Sequence, residues 1–116
     1  MKWRWQILGF LMICLTGWSG PVDAQSDLVS AGRNFAEMAC SPCHVVSDRY
    51  KVPILRNPGP SFAEIAARTS TTGDSLRTYL RSTHRDMGQS GRMPNPRLLD
   101  FEIDEVVAYI LSLREH

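Results

Sequence analysis

Cysteine is scarce in this chain: three in 116 residues are too few for a disulfide-dense scaffold. A Gly-rich phosphate loop, an internal repeat and any convincing period-two strand pattern are all lacking. So is an excess of charge of one sign, since 13 basic against 12 acidic residues give a formal net charge of +1. That balance excludes a polybasic nucleic-acid binder on bulk charge. A disordered acidic tail is excluded too, because 43% of the residues are hydrophobic and can fill a core. The length is that of one small domain, which argues against a two-domain enzyme.

What is there begins with an address. Lys2 and Arg4 supply a positive start, residues 7–18 are an uncharged and mostly apolar run, and Val22-Asp23-Ala24 places small or acceptable residues at the −3 and −1 positions of a cut. This pattern predicts a signal peptide over residues 1–24, cleaved after Ala24, and an exported domain over residues 25–116. The competing reading is an uncleaved anchor, but a spanning helix needs about 20 apolar residues and this run is followed by Ser19, Gly20 and Pro21. Cys14 lies inside the run and is discarded with it. Loss of Lys2, Arg4 and Asp23 leaves the remaining domain formally neutral, with Cys40 and Cys43 as its cysteines.

Those two cysteines carry the chemistry. Cys40-Ser41-Pro42-Cys43-His44 fits the Cys-x-x-Cys-His pattern of covalent c-type haem attachment. Thiols three residues apart lie on one side of a helical turn, where both can add to the vinyl groups along one porphyrin edge. The adjacent imidazole then reaches the iron from the same side. A zinc site would need two further ligands at comparable spacing, and the other histidines are His84 and His116. A thioredoxin-like redox pair would want a preceding strand, whereas the flanking residues read as helix. A plain disulfide leaves His44 without a role.

One histidine leaves the sixth iron position to be filled. Met38 is too close to Cys40 to reach the opposite face. Met93 stands in Gly91-Arg92-Met93-Pro94-Asn95-Pro96, where the prolines impose an extended strap suited to holding a thioether at a set distance. A methionine is more often core filler, but this one is flanked by polar and loop residues. Met93 is the expected ligand, since Met/His ligation belongs to electron-transfer haem proteins. Met87, His84 and an open position remain as alternatives.

Taken together these residues resemble the small class I cytochromes c, over essentially all of residues 25–116. Gly32 lies eight residues before Cys40, where the family's N-terminal helix has the glycine that lets the C-terminal helix cross closely. Cys40, Cys43 and His44 match the attachment site and proximal ligand. Gly59-Pro60-Ser61-Phe62 is similar to the family's Gly-Pro segment. The resemblance implies that the Pro60 carbonyl accepts a hydrogen bond from His44, that Phe62 packs on the haem, that Met93 is the Met-Pro axial ligand and that Tyr109 meets the N-terminal helix. One departure is Phe35, five residues before Cys40 where the family's best-known members have their aromatic four before. The implied fold is all-α, with N- and C-terminal helices crossing around one covalently bound haem c.

The residue pattern is compatible with that fold. Leu28, Ala31, Phe35 and Met38 recur at helical spacing and predict an amphipathic helix over residues 27–39. Residues 48–60 hold three prolines and read as loop. Phe62, Ile65 and Ala66 suggest a short helix after Pro60, and Leu76, Tyr79 and Leu80 a third over residues 74–83, with Gly73 and the Thr/Ser cluster at its start. The last helix has Asp100 as its expected N-cap, acids Glu102, Asp104 and Glu105 in its first turns, and a core stripe of Ile103, Val106, Val107, Ile110 and Leu111.

The expected function is single-electron transfer by an exported, periplasmic monohaem protein with no catalytic residues of its own. A haem with both axial positions filled offers a substrate no open site. Between residues 49 and 97 Arg49, Lys51, Arg56, Arg68, Arg77, Arg81, Arg85, Arg92 and Arg97 outnumber Glu64, Asp74 and Asp86, a basic stretch that could dock an acidic redox partner or simply be solvated and locally paired. Two other readings are a haem subunit of a larger dehydrogenase or oxidase complex, and a gas-binding or sensory haem module should the sixth position be open.

Overall fold

The computed structural model describes residues 22–82 and 93–115. Four helices follow in order: α1 (Val22–Ala39), α2 (Phe62–Ala67), α3 (Gly73–Arg81) and α4 (Asp100–Ser112), the last running into a 3-10 turn over Leu113–Glu115. Among the described residues the only strand-like feature is an isolated bridge between Ser47 and Tyr50. The chain is all-α.

Each short helix starts on a side chain. Ser61 caps α2, its hydroxyl accepting from the Glu64 amide at 3.1 Å while the Glu64 carboxylate accepts from the Ser61 amide at 2.7 Å. Those bonds, the backbone one first, hold the Glu64 carboxyl below its usual range. Thr72 caps α3 in the same reciprocal way with Ser75. The end of α2 would leave carbonyls bare, and Arg114 covers them from the far end of the chain: its Nε donates to the Ala66 carbonyl at 2.7 Å and its Nη2 donates to the Thr71 carbonyl.

The start of α4 corrects an expectation. Asp100 is the first helical residue, and Leu99 occupies the N-cap position. Leucine has no acceptor to offer, so Glu102 does half the task by accepting from the Leu99 amide at 2.8 Å. The Asp100 carboxylate is turned away to the Arg81 guanidinium, 2.9 Å from Nη2. Together with Arg77 Nε donating to Asp104 at 2.8 Å, this pair joins α3 to α4.

The core is α4 packed chiefly on α1, with α2 and α3 laid against its other side. Ile103, Val106, Val107, Tyr109 and Ile110 are buried on α4, joined by Phe62 and Ala66 of α2 and Leu76 and Leu80 of α3. The expected α4 stripe holds, except that Leu111 is only partly buried. On α1 the expected face holds at Phe35, which packs on the core, and is rotated away from Leu28 and Met38. Met38 is 76% exposed and Leu28 40%, while Ala36 is fully buried beside Gly32 and partly buried Val29 and Phe35. The reason is the crossing: a Cβ on Gly32 would stand 2.5 Å from the Glu105 carbonyl carbon and 3.0 Å from the Tyr109 Cβ. Two helices that close leave no room for large side chains between them, so the smallest residues face inward.

α1 begins at Val22, five residues before its expected start, and α3 ends at Arg81 with Ser82 as C-cap, short of the expected end. The apolar run of the expected signal peptide, and His84, Met87, Arg85, Asp86, Arg92 and His116, lie outside the described residues. None of the described helices is long and apolar enough to cross a membrane.

Candidate haem-attachment site

The Cys-x-x-Cys-His segment continues from α1 as a tight turn. Amides of Cys43 and His44 donate to the Cys40 carbonyl at 3.1 and 2.9 Å, so both cysteines stay on the turn that the sequence spacing implies. No disulfide joins them and both are half-buried. Burial pushes the Cys40 thiol up to about 11, with the neighbouring Cys43 sulfur adding to the shift. Such a thiol stays protonated at neutral pH, the reverse of the low-pKa thiolate that a redox-active pair uses.

The loop after His44 folds back over this turn and is fastened to it by a series of backbone hydrogen bonds. Ile54 and Leu55 amides donate to the Pro42 carbonyl at 3.0 and 3.1 Å, the Gly59 amide donates to the Cys43 carbonyl at 2.8 Å, and the Phe62 amide donates to the Val45 carbonyl at 3.0 Å. Pro60 therefore arrives beside His44. The imidazole is buried, and its Nδ1 lies 2.7 Å from the Pro60 carbonyl oxygen. A carbonyl can only accept, so Nδ1 carries the proton and Nε2 is left with its lone pair available for a metal. Gly59 lies flat against the ring: a Cβ there would be 2.8 Å from Nδ1 and closer still to Cε1. Only glycine lets the loop approach the imidazole this closely.

Behind the ring stands Phe62, with centroids 5.7 Å apart and planes inclined at 55°. Tyr109 backs Phe62 at 6.2 Å, and its hydroxyl donates to the Val46 carbonyl at 2.6 Å. That bond ties α4 to the loop just after His44. The residue signalled as the aromatic that meets α1 thus also braces the imidazole, a task that no local pattern in the sequence marks.

Glu37 adds a second brace. This buried carboxylate lies 3.1 Å from Arg33 Nε and 3.9 Å from Arg49 Nη1, and the Ser47 hydroxyl bonds to it as well. The Ser47 bond foremost, and then Arg33, hold the Glu37 carboxyl below its usual range. The Glu37 carbonyl also accepts from the Ser41 hydroxyl at 2.7 Å. The end of α1, the attachment turn and the returning loop are thereby connected.

Met93 is partly buried and, like Cys40, packs against the common core. It starts an irregular strap over residues 93–99 in which Asn95 makes two bonds. Its Nδ2 donates to the Ser82 carbonyl at 2.9 Å, and its Oδ1 accepts from the Arg97 amide at 2.8 Å. Arg97 has φ 52°, a left-handed conformation that costs an L-residue about 1–2 kcal/mol. Sequence reasoning passed over Asn95, whose one visible signal was its place between two prolines.

The residues fit a c-type haem. Two unpaired thiols, an imidazole with its far nitrogen free and a cradle open only because residue 59 is glycine form the donor set that such a group takes. The family model described as Cytochrome c matches residues 29–114. No curated protein and no solved structure matches the chain.

Proposed function

We propose, from the premise that this chain is a member of the cytochrome c family, that it is an exported single-electron carrier with His44 and Met93 as axial ligands. Haem-based electron transfer is the family's activity, and covalently attached haem c supplies the ferrous/ferric couple. The assignment of His44 is supported by the hydrogen bond from its Nδ1 to the Pro60 carbonyl. It fixes the tautomer and the ring plane, and it raises the basicity of the free nitrogen. Cys40 and Cys43 hold the macrocycle by thioether bonds, and Phe62 excludes water behind the imidazole. Met93 offers a soft thioether that favours ferrous iron.

This reading separates a carrier from a gas-binding module. Carbon monoxide added to the reduced protein leaves the spectrum unchanged if both axial positions are held by side chains; a prompt shift at neutral pH contradicts the carrier assignment. Export is checked independently, since the intact mass of the mature protein should correspond to residues 25–116 plus one haem, and a mass that includes Met1 overturns it.

The partner we propose is a redox protein with an acidic rim. Val52, Ile54 and Leu55 are exposed on the loop fastened to Pro42, with Lys51 and Arg56 beside them in the chain. Within the basic stretch Arg49 faces Glu37, Arg77 faces Asp104 and Arg81 faces Asp100, and Lys51 lies 3.7 Å from the Asp48 carboxylate while staying largely exposed. Lys51 and Arg56 place positive charge beside this apolar patch. Electron-transfer rates with the partner should fall as salt rises, and salt-independent rates contradict a basic rim.

A further inference from the structure

The strap that carries Met93 has few ways of being held. It forms neither helix nor strand, and Pro94 and Pro96 have no amide hydrogen to donate. What Pro94 does supply is stiffness: with its φ fixed, the chain between Asn95 and Met93 has fewer ways to absorb a displacement at residue 95. The Asn95 side chain is partly buried and reaches two backbone groups on either side of it. Nδ2 donates to the Ser82 carbonyl at 2.9 Å, and Oδ1 accepts from the Arg97 amide at 2.8 Å. The second bond holds Arg97 in its left-handed turn at φ 52°.

Ser82 is a firm anchor. It closes α3, with its amide donating to the Thr78 and Tyr79 carbonyls, both at 3.1 Å, and its hydroxyl donating to the Tyr79 carbonyl at 2.8 Å. α3 is in turn fixed to α4 by Arg77 with Asp104 and Arg81 with Asp100, over buried Leu76 and Leu80. A continuous series of contacts runs from α4 through α3 and Ser82 to Asn95, and ends two residues from the thioether.

We infer that Asn95 is a positioning residue for the sixth ligand: its side-chain amide brackets the strap onto the end of α3 and so sets how long the Met93 thioether stays on the iron. The inference rests on the reading of Met93 as axial ligand. Without the bracket the strap swings more freely, and an external ligand competes more successfully for the iron while haem attachment and helix packing persist.

The test is imidazole binding to the ferric holoprotein. Asn95→Ala should raise the apparent imidazole affinity about three- to tenfold, the equivalent of one ordinary hydrogen bond. Asn95→Asp keeps the acceptor for Arg97 but loses the donor to Ser82, so it should show a rise of similar size and serves if the alanine variant folds poorly. Arg114→Ala provides the structural comparison, lowering the unfolding midpoint through the distant end of α2 with no change in imidazole affinity. An affinity in both Asn95 variants no higher than in Arg114→Ala overturns the inference, whatever happens to their unfolding midpoints. Met93→Ala distinguishes the two levels. If it leaves imidazole affinity at the wild-type value, the ligand assignment itself fails; if it raises affinity strongly while the Asn95 variants do not, only the bracket fails.

Discussion

Two glycines do work here that no other residue could. Gly32 sits where α1 crosses α4, and a methyl group there would overlap the Glu105 carbonyl, which is backbone and cannot swing aside. Gly32→Ala should therefore destabilise the holoprotein by about 3 kcal/mol, at the upper end of ordinary overpacking costs, as read by thermal unfolding. Gly59 is in a different position, because what its Cβ would meet is the His44 ring. Gly59→Ala should push the imidazole off the Pro60 carbonyl, lowering the basicity of its free nitrogen and shifting the haem absorption spectrum, with a smaller loss of stability than in Gly32→Ala. An unchanged spectrum contradicts the close approach described. The attachment residues were legible because the chemistry of Cys-x-x-Cys-His is local and its spacing is the mechanism; Gly32 was marked only by the family resemblance, and Gly59 had no role of its own in the sequence.

The helices show where such legibility ends. α2, α3 and α4 announce themselves by apolar spacing, a signal that lies within one or two turns of chain, although the cap of α4 falls on Leu99 and not on Asp100. The inward face of α1 is legible only at Phe35, because periodicity also rewards large apolar residues such as Leu28 and Met38, while a close helix crossing selects small ones such as Gly32 and Ala36. Also hidden were the bonds from side chain to distant backbone: Arg114 to Ala66, Tyr109 to Val46 and Asn95 to Ser82. A carbonyl acceptor has no side-chain identity, so nothing in the sequence marks it. Arg114→Ala should cost about 1–3 kcal/mol by leaving carbonyls at the end of α2 without a donor, measurable by denaturant unfolding. The Glu37 brace gives a pH dependence. Because its carboxyl lies below the usual range when folded, the folded chain binds that proton less tightly than the unfolded chain. Its stabilisation is present above the unfolded carboxyl value, about 4.3, and is lost as pH falls through the lower folded value. The stability gap between wild type and Glu37→Gln should accordingly be wide at pH 7 and close in acid; a gap that does not change with pH contradicts this.

Across the whole molecule, several braces converge on the attachment turn. α1 leads into it, the loop of residues 45–60 is fastened over it, α4 supports it through Tyr109, and α3 suspends the strap that starts at Met93. A domain this small buries a modest share of its surface, so a covalently held apolar macrocycle completes the core as well as the site. Polypeptide made without haem should be mostly unfolded, and native-like helical circular dichroism from the apoprotein contradicts that. The net charge of +1 said little about partners because it averages a basic stretch over residues 49–97 against acids elsewhere, those at the start of α4 among them. The claim on which the rest depends is that iron is held between His44 and Met93, and the far-red absorption band given by methionine sulfur on ferric iron tests it most directly. Ferric wild-type protein should show this band, and Met93→Ala should lose it while its haem stays covalently attached; a band that survives in Met93→Ala, or is absent from the wild type at neutral pH, contradicts the account.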